Sequence, residues 1–354
     1  MSRSRVISPT EALFVSTNAT GAQTISQLYR IQSANYGGSQ TRTPVNQYGQ
    51  QAAIDQVILE PGSVTMEFSY LSTNMLNEAN LGFVTDGSAQ SISGFLNKTS
   101  DEKNYYVLTV PEGEDALGGD SVGKNEVWAM GNGFITNYSF SAQVGSFPTV
   151  SVSVEGLNFS THSGSVAQPV PSINPAQGTK VTGQTFTLPT VASGVLGQAT
   201  ALRPGDVIFS LTNPSLGVDI NDAKIQQVTI AVDLGREPQN KLGSAFPFSR
   251  EITFPINATL SIDANVGDLV TGNFSDILCD DKDYNLTVGV KKPSCPGTTG
   301  TPVAVSYTLK GAKLTSQRWT SSIGPNKSVS LEWTAQVGGP RDLSRGLFFS
   351  GTNT

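Results

Sequence analysis

The chain has 354 residues, enough for two domains of ordinary size and for a buried core without covalent staples. Hydrophobic residues make up 37% and charged residues only 14%, and Gly, Ser, Thr and Asn fill the gap, which suits short strands and turns and suits long helices poorly. A net charge of −6, with no Lys/Arg run interleaved with aromatics, excludes a tight nucleic-acid binder but allows an acidic surface past which DNA slides.

The opening stretch, MSRSRVISPTEALFVSTNAT, has two arginines but no apolar core of signal-peptide length, so no classical export signal is expected. No stretch approaches the ~20 apolar residues of a membrane span, so no membrane partner is expected. The eight Asn-x-Ser/Thr triplets (Asn18, Asn97, Asn137, Asn158, Asn257, Asn273, Asn285 and Asn326) read as products of a Ser/Thr-rich composition rather than as glycan acceptors.

The first element with turn chemistry is RTPVNQYG, Arg42 to Gly49. Next, SVTMEFSYL alternates Val64, Met66 and Phe68 against Thr65, Glu67 and Ser69, the pattern of a half-buried strand. NMLNEANLGF reads as a short helix. The acidic run PEGEDALGGD (Glu112, Glu114, Asp115, Asp120) lacks the spacing of the common calcium loop and reads as a solvated hairpin tip. SFSAQVG and TVSVSVEGLNF alternate as strands joined at Gly145. A stretch rich in Pro, Gly, Ser and Thr follows, read as a linker or extended arm over 161–204, with a short strand possible in QTFTLPTV. The sole histidine, His162, falls in it and reads as a solvated residue.

The second part of the chain spells the first again. Displaced by 194 positions, 31–69 matches 225–263 without a gap, with nine of 39 positions identical. Those nine include Arg42/Arg236, Pro44/Pro238, Asn46/Asn240 and Gly49/Gly243, so RTPVNQYG returns as REPQNKLG. Displaced by 179, DEKNYYVLTV lies over DDKDYNLTVG, and 135–154 lies over 314–333. FVSTN and FSLTN head the two copies. ATLSIDAN and SVSLEWTAQV repeat the alternating strands, with Gly324 in the place of Gly145, and GDLVTGNFSDIL occupies the helix position. The chain is therefore expected to be mainly β, two tandem homologous antiparallel β-barrel or sandwich domains with few short helices, over 1–160 and 205–354. The eight residues Arg42, Pro44, Asn46, Gly49, Arg236, Pro238, Asn240 and Gly243 are read as the structural turns of the repeat.

No catalytic constellation is found. One histidine makes no two-histidine metal site, and neither a Gly-x-Ser-x-Gly elbow nor a phosphate-cradling Gly-rich loop occurs. CDDKD (Asp280, Asp281, Asp283) reads as a solvated loop. Cys279 and Cys295 are either two free thiols or one bridge, and sequence does not decide. Tyr105, Tyr106, Trp128, Trp319 and Trp333 read as core, because apolar residues recur at equivalent positions (Phe140/Trp319, Val154/Trp333). No enzyme activity, metal or cofactor is expected.

The runs IQSANY, RTPVNQYGQQAAIDQVILEPGSVTMEFSYL, NEANLGFVTDGS and KLTSQRWTSSIGPNKSVSLEWTAQVGGP resemble the tail tube proteins of long-tailed bacteriophages, over nearly the whole chain outside the linker. That resemblance implies a β-barrel-type tube domain whose copies join into rings, stacked as a conduit for DNA ejection. For a duplicated chain it implies a homotrimeric ring with pseudo-sixfold symmetry, other tail proteins as partners, viral DNA passing without specific binding, and a place in the virion after assembly in the bacterial cytoplasm. The turns at Pro44–Gly49 and Pro238–Gly243 would be fixed corners, and the hairpin from Glu102 to Met130 would protrude to stack the rings. The lumen would carry hydroxyls with scattered Glu67, Glu155 and Glu332. The alternatives are a capsid decoration or head–tail connector protein, or a carbohydrate-binding adhesin.

Overall fold

A computed structural model describes residues 11–16, 24–111, 116, 125–163, 167–181, 185–188, 207–212, 224–244, 246–265, 283–291, 303–321 and 327–351. The first part of the chain contributes β1 (Glu11–Ser16), β2 (Ile25–Leu28), β3 (Ile31–Ser39), β4 (Thr43–Val45), β5 (Asp55–Val57) and β6 (Ser63–Leu71). Two short helices follow, α1 (Leu76–Leu81) and α2 (Ser93–Leu96), then β7 (Glu102–Thr109), β8 (Glu126–Gln143), β9 (Thr149–Gly156) and β10 (Asn158–Ser163). Four short strands follow: β11 (Ala167–Pro169), β12 (Ile173–Asn174), β13 (Thr179–Lys180) and β14 (Thr185–Thr187). The last part holds β15 (Val207–Thr212), β16 (Lys224–Asp233), β17 (Arg236–Gln239), β18 (Ser249–Ile252) and β19 (Asn257–Asn265). It ends with β20 (Tyr284–Lys291), β21 (Val303–Thr320), β22 (Ser328–Gln336) and β23 (Gly346–Gly351).

Every ladder is antiparallel, and the sheets pack as sandwich-like layers; no closed barrel forms among the described residues. The layers follow from one long strand in each half. The N-terminal part of β8 pairs with β7 on one edge and β10 on the other, and its C-terminal part pairs with β9 and β16. Between the two parts lies Gly131-Asn132-Gly133, with Asn132 at φ 53°, and the ladder to β9 is bulged between Ile135 and Asn137. Such bends carry a strand from one layer to the next. In β21 the same place holds Gly311 at φ 66°, with a bulge between Leu314 and Ser316. Alternating apolar residues then fill the space between layers. Met66 and Phe68 of β6 and Val150, Val152 and Val154 of β9 face Tyr105 and Val107 of β7, with the Phe68 and Tyr105 rings 6.2 Å apart.

The two halves share one topology and one register. β1·β7, β7·β8, β8·β10, β8·β9, β9·β6 and β6·β3 correspond to β15·β20, β20·β21, β21·β23, β21·β22, β22·β19 and β19·β16. Ser33↔Ser69, displaced by 194, is Gln227↔Asp263, each one step after a bulge at Ile31 or Ile225. Ser139↔Ser151, displaced by 179, is Arg318↔Ser330. Thr43↔Val57 becomes Glu237↔Glu251.

Two sequence matches move. Lys103 pairs with Gly133 as Tyr284 pairs with Ala312, so β7 corresponds to β20 at a displacement two greater than the Asp-Lys-Tyr matches suggest. Leu13↔Val107 corresponds to Phe209↔Val288, one residue off the FVSTN/FSLTN match. Shared residue types fix no ladder; the hydrogen-bond register does.

The described part of 161–204 is a docked arm rather than an extended linker. β11 pairs with β14 and β12 with β13, and Val170 and Leu188 cover the outer face of β1, β7 and β8 beside Phe14 and Tyr106. Asn132 anchors it by donating to the Ile173 carbonyl (3.1 Å) and accepting from the Ile173 N–H (2.8 Å). His162 lies on β10 opposite Val127, its ring bonded to Ser160 Oγ at 2.9 Å, and so is part of the ladder. The helix expected over 74–83 is α1, whereas 267–278 lies outside the described residues, as does Gly324.

The repeated turns are the tips of two hairpins, β4–β5 and β17–β18. Gly49 sits at φ +87° and Gly243 at +82°, with open space where a Cβ would project. Gly243→Val is therefore expected to lower the unfolding free energy by about 1–2 kcal/mol through backbone strain alone. Gly243→Asn should recover at least half of that loss in denaturant titration, because Asn tolerates the left-handed region.

Candidate assembly interface

The two halves meet edge to edge. β16 pairs with the C-terminal part of β8 from Gln227↔Gln143 to Asp233↔Asn137, and the flanking bonds Val144 N–H to Gln226 (2.9 Å) and Leu234 N–H to Thr136 (2.8 Å) extend the ladder. This junction fuses two four-stranded sheets into one, in the order β3-β6-β9-β8-β16-β19-β22-β21. On its inner face Phe140 lies against Ile230 and against the Tyr307 ring at 4.4 Å. Phe349 completes the seam, with its ring 5.4 Å from that of Phe83 and 5.2 Å from that of Tyr138.

A polar cluster is buried in the same seam. Tyr70 and Tyr138 donate to Glu78 Oε1 at 2.9 and 3.2 Å, and the Tyr138 and Tyr307 hydroxyls lie 3.2 Å apart. Burial pushes the Glu78 carboxyl up to about 7, against the lowering effect of the two hydroxyls. Burial, with the Glu78 carboxyl adding to it, holds the phenols of Tyr70, Tyr138 and Tyr307 well above their ordinary value.

The β17–β18 hairpin clamps the junction from outside. Arg236 makes two bonds to Asp101, at 2.6 and 3.0 Å, donates to the Ile135 carbonyl at 3.2 and 3.3 Å, and lies 5.3 Å from the Phe134 ring. Its side chain is 1% exposed and that of Asp101 9%. This is a fork-on-carboxylate pair out of water, where losing one partner strands the other charge. Arg250 pairs with Glu155, and Lys98 reaches Glu251 at 2.7 Å. Ile252 packs on the core.

Of the eight repeat-turn residues, the structure buries only the Arg236 side chain. Arg42, Pro44, Asn46 and Gly49 are exposed on the β4–β5 hairpin, and Pro238, Asn240 and Gly243 are exposed on its counterpart. The turns are thus projecting tips rather than fixed corners, because each hairpin pairs with itself and not with the main sheet. Sequence reasoning missed Asp101 and Ile135 as partners of Arg236. The repeat flags the arginine, but its partners lie more than 100 positions earlier, just before β7 and on β8, with no pattern linking them.

The aromatics divide. Tyr105, Tyr106 and Trp333 are buried as expected, but Trp319 is 38% exposed. It sits where Phe140 sits in the first half, and among the described residues no strand covers it as β16 covers Phe140. The hairpin expected to protrude has a buried base: β7 runs between β1 and β8 with Tyr105 to Leu108 inside, and its tip at 112–115 and 117–124, including Glu112, Glu114, Asp115 and Asp120, lies outside the described residues. So do Cys279, Cys295, Asp280 and Asp281; Asp283 is paired with Lys313 and Arg345.

The other face of the eight-stranded sheet is wet and rich in hydroxyls. Ser33 and Ser69 hydroxyls meet at 2.6 Å, and Ser39 and Ser63 at 2.8 Å. Among the described residues the carboxylates on this face are Glu67, Glu155, Asp233, Asp263 and Glu332, and the cations are Lys224, Lys313 and Arg318.

No protein family model matches this chain, and no curated protein sequence does. Among solved structures, one match is a chain described as "Cryo-EM structure of the anti-feeding prophage (AFP) baseplate, 6-fold symmetrised", at 13% identity and a TM-score of 0.27, covering 41% of this chain and 91% of that one.

Glu78 titrates higher in the folded chain, at about 7, than its ordinary 4.5. As pH rises the unfolded chain loses this proton first, so the group's contribution to stability falls between pH 4.5 and about 7 and is level outside that window. Glu78→Gln is expected to gain stability relative to the parent protein across that window, read as the difference in denaturation midpoints at pH 4.5 and 7.5.

Proposed function

We propose that the protein is a structural virion protein, a subunit of a phage tail tube whose copies close into rings stacked as a conduit for DNA ejection. The observation that carries this reading is the eight-stranded sheet: two halves of one register are joined edge to edge, and among the described residues the sheet ends in two open edges. Matching register in both halves supports descent from a duplicated tube domain. Three copies would present six similar halves, a homotrimer with pseudo-sixfold symmetry. At a spacing of about 4.8 Å and a tilt of about 40°, three such sheets would close into a wall roughly 48 Å across between backbones, wide enough for duplex DNA.

The wet face suits the lumen. Its hydroxyls hydrogen-bond to one another and to water, and its excess of carboxylates repels phosphates, so DNA passes without being held. In this reading the chain does mechanical work and no catalysis, and its partners are copies of itself and other tail proteins.

Negative-stain microscopy with mass by light scattering tests it. Rings of about three chains, or stacks of them, are expected at micromolar concentration. A chain that stays monomeric alone and when mixed with tail tips contradicts the reading.

A further inference from the structure

We propose that the open edge of β3 in one copy pairs antiparallel with the open edge of β21 in a second copy, in the register that β16 and β8 adopt within the chain, while the β4–β5 hairpin clamps the second copy as β17–β18 clamps the first half. This rests on the self-assembly reading above and specifies its contact.

The internal junction supplies the template. β3 corresponds to β16 and the end of β21 to the end of β8, each by ladder register. Yet β16 and β8 pair with each other, whereas among the described residues β3 pairs only with β6, and residues 314–320 of β21 pair only with β22. Both are edges whose backbone groups point away from the sheet and await a partner. Carrying the displacements through the junction sets the contact. Ile230↔Phe140 becomes Tyr36↔Trp319, Thr229↔Ser141 becomes Asn35↔Thr320, and Ala231↔Ser139 becomes Gly37↔Arg318.

Side chains at these positions lack what the junction provides. Phe140 is fully buried, while Trp319 is 38% exposed. Tyr36 is half-buried, with its ring tilted against that of Trp128 at 4.6 Å. Gly37 has open space around its Cβ position, which leaves room for the guanidinium of Arg318.

The hairpins tell the same story. Arg236 is sealed against Asp101 and the Ile135 carbonyl, whereas Arg42 at the same offset is exposed. The residue in the place of Ile135 is Leu314, at the edge that β3 would cover. Ile252 packs on the core, but Ile58 at the same offset is 45% exposed, beside Leu59 at 71%. Arg42, Ile58 and Trp319 thus expose together what Arg236, Ile252 and Phe140 bury together. A contact joining two different edges repeats from copy to copy and closes into a ring when its rotation permits.

Cysteine cross-linking tests the register. Pairs at the junction alternate, and the bonds flanking it, Val144 to Gln226 and Leu234 to Thr136, place Ser141↔Thr229 among the non-hydrogen-bonded pairs. Their Cα atoms lie close enough for a disulfide. Asn35→Cys with Thr320→Cys is expected to form inter-chain disulfides under mild oxidation at least ten times faster than Asn35→Cys with Arg318→Cys. The links are located by mass spectrometry, so Cys279 and Cys295 stay in place. Arg42→Ala and Ile58→Asp, each added to the first pair, should cut cross-linking at least tenfold while leaving the melting temperature of the dilute chain unchanged. Equal linking by both pairs overturns the register, and an Arg42→Ala chain that links as well as its parent overturns the clamp. Rings without 35–320 links overturn this contact and leave the assembly reading standing, whereas a chain that remains monomeric overturns both.

Discussion

Backbone hydrogen bonding at the edges of strands is the constraint on which this structure depends. A strand at the end of a sheet leaves a row of N–H and C=O groups unpaired, and a protein must cover them, blunt them or use them. Here the chain uses two of its four principal edges on itself. β8 and β16 pair and turn two four-stranded sheets into one of eight. The same act creates the inner seam, because the apolar face of the fused sheet now runs unbroken from Phe68 through Phe140 to Leu260 and Trp333.

Once the edges meet, the polar groups around them become consequential. Arg236 and Asp101 lie out of water together, so the pair enforces the junction geometry more than it adds net stability: separating the halves would strand either charge. Glu78 plays a related part beneath the sheet. Its hydrogen bonds from Tyr70 and Tyr138, and the contact of Tyr138 with Tyr307, tie α1 of the first half to β21 of the second. Such groups specify one arrangement of two similar halves where apolar packing alone would tolerate several.

Much of this fold is legible in the sequence, for a physical reason. The period-two alternation in SVTMEFSYL, TVSVSVEGLNF and SVSLEWTAQV is the signature of strands wet on one side, and all three form such strands. Identities at Arg, Pro, Asn and Gly mark two hairpins with the same register. What sequence did not reveal is non-local. The residue match at DEKNYY is off by two from the ladder, because likeness of residue type carries no hydrogen-bond register. The Pro, Gly, Ser and Thr content of 161–204 reads as a linker or extended arm, and nothing in that composition marks Val170, Ile173 and Leu188 as buried or Asn132 as their anchor. The sequence analogy with Phe140 places Trp319 in the core, but Trp319 is 38% exposed, and among the described residues its stretch of β21 pairs with β22 alone.

Hydrogen exchange on the free and assembled protein tests most directly whether the open edges are where copies meet. In the register of the internal junction, the amides of Tyr36, Gly38, Gln317 and Trp319 point across the new contact. These four should exchange freely in the dilute chain and become strongly protected on assembly, while Phe140 and Ile230 stay protected in both states. Assembled protein in which these four amides still exchange as in the free chain would contradict the account.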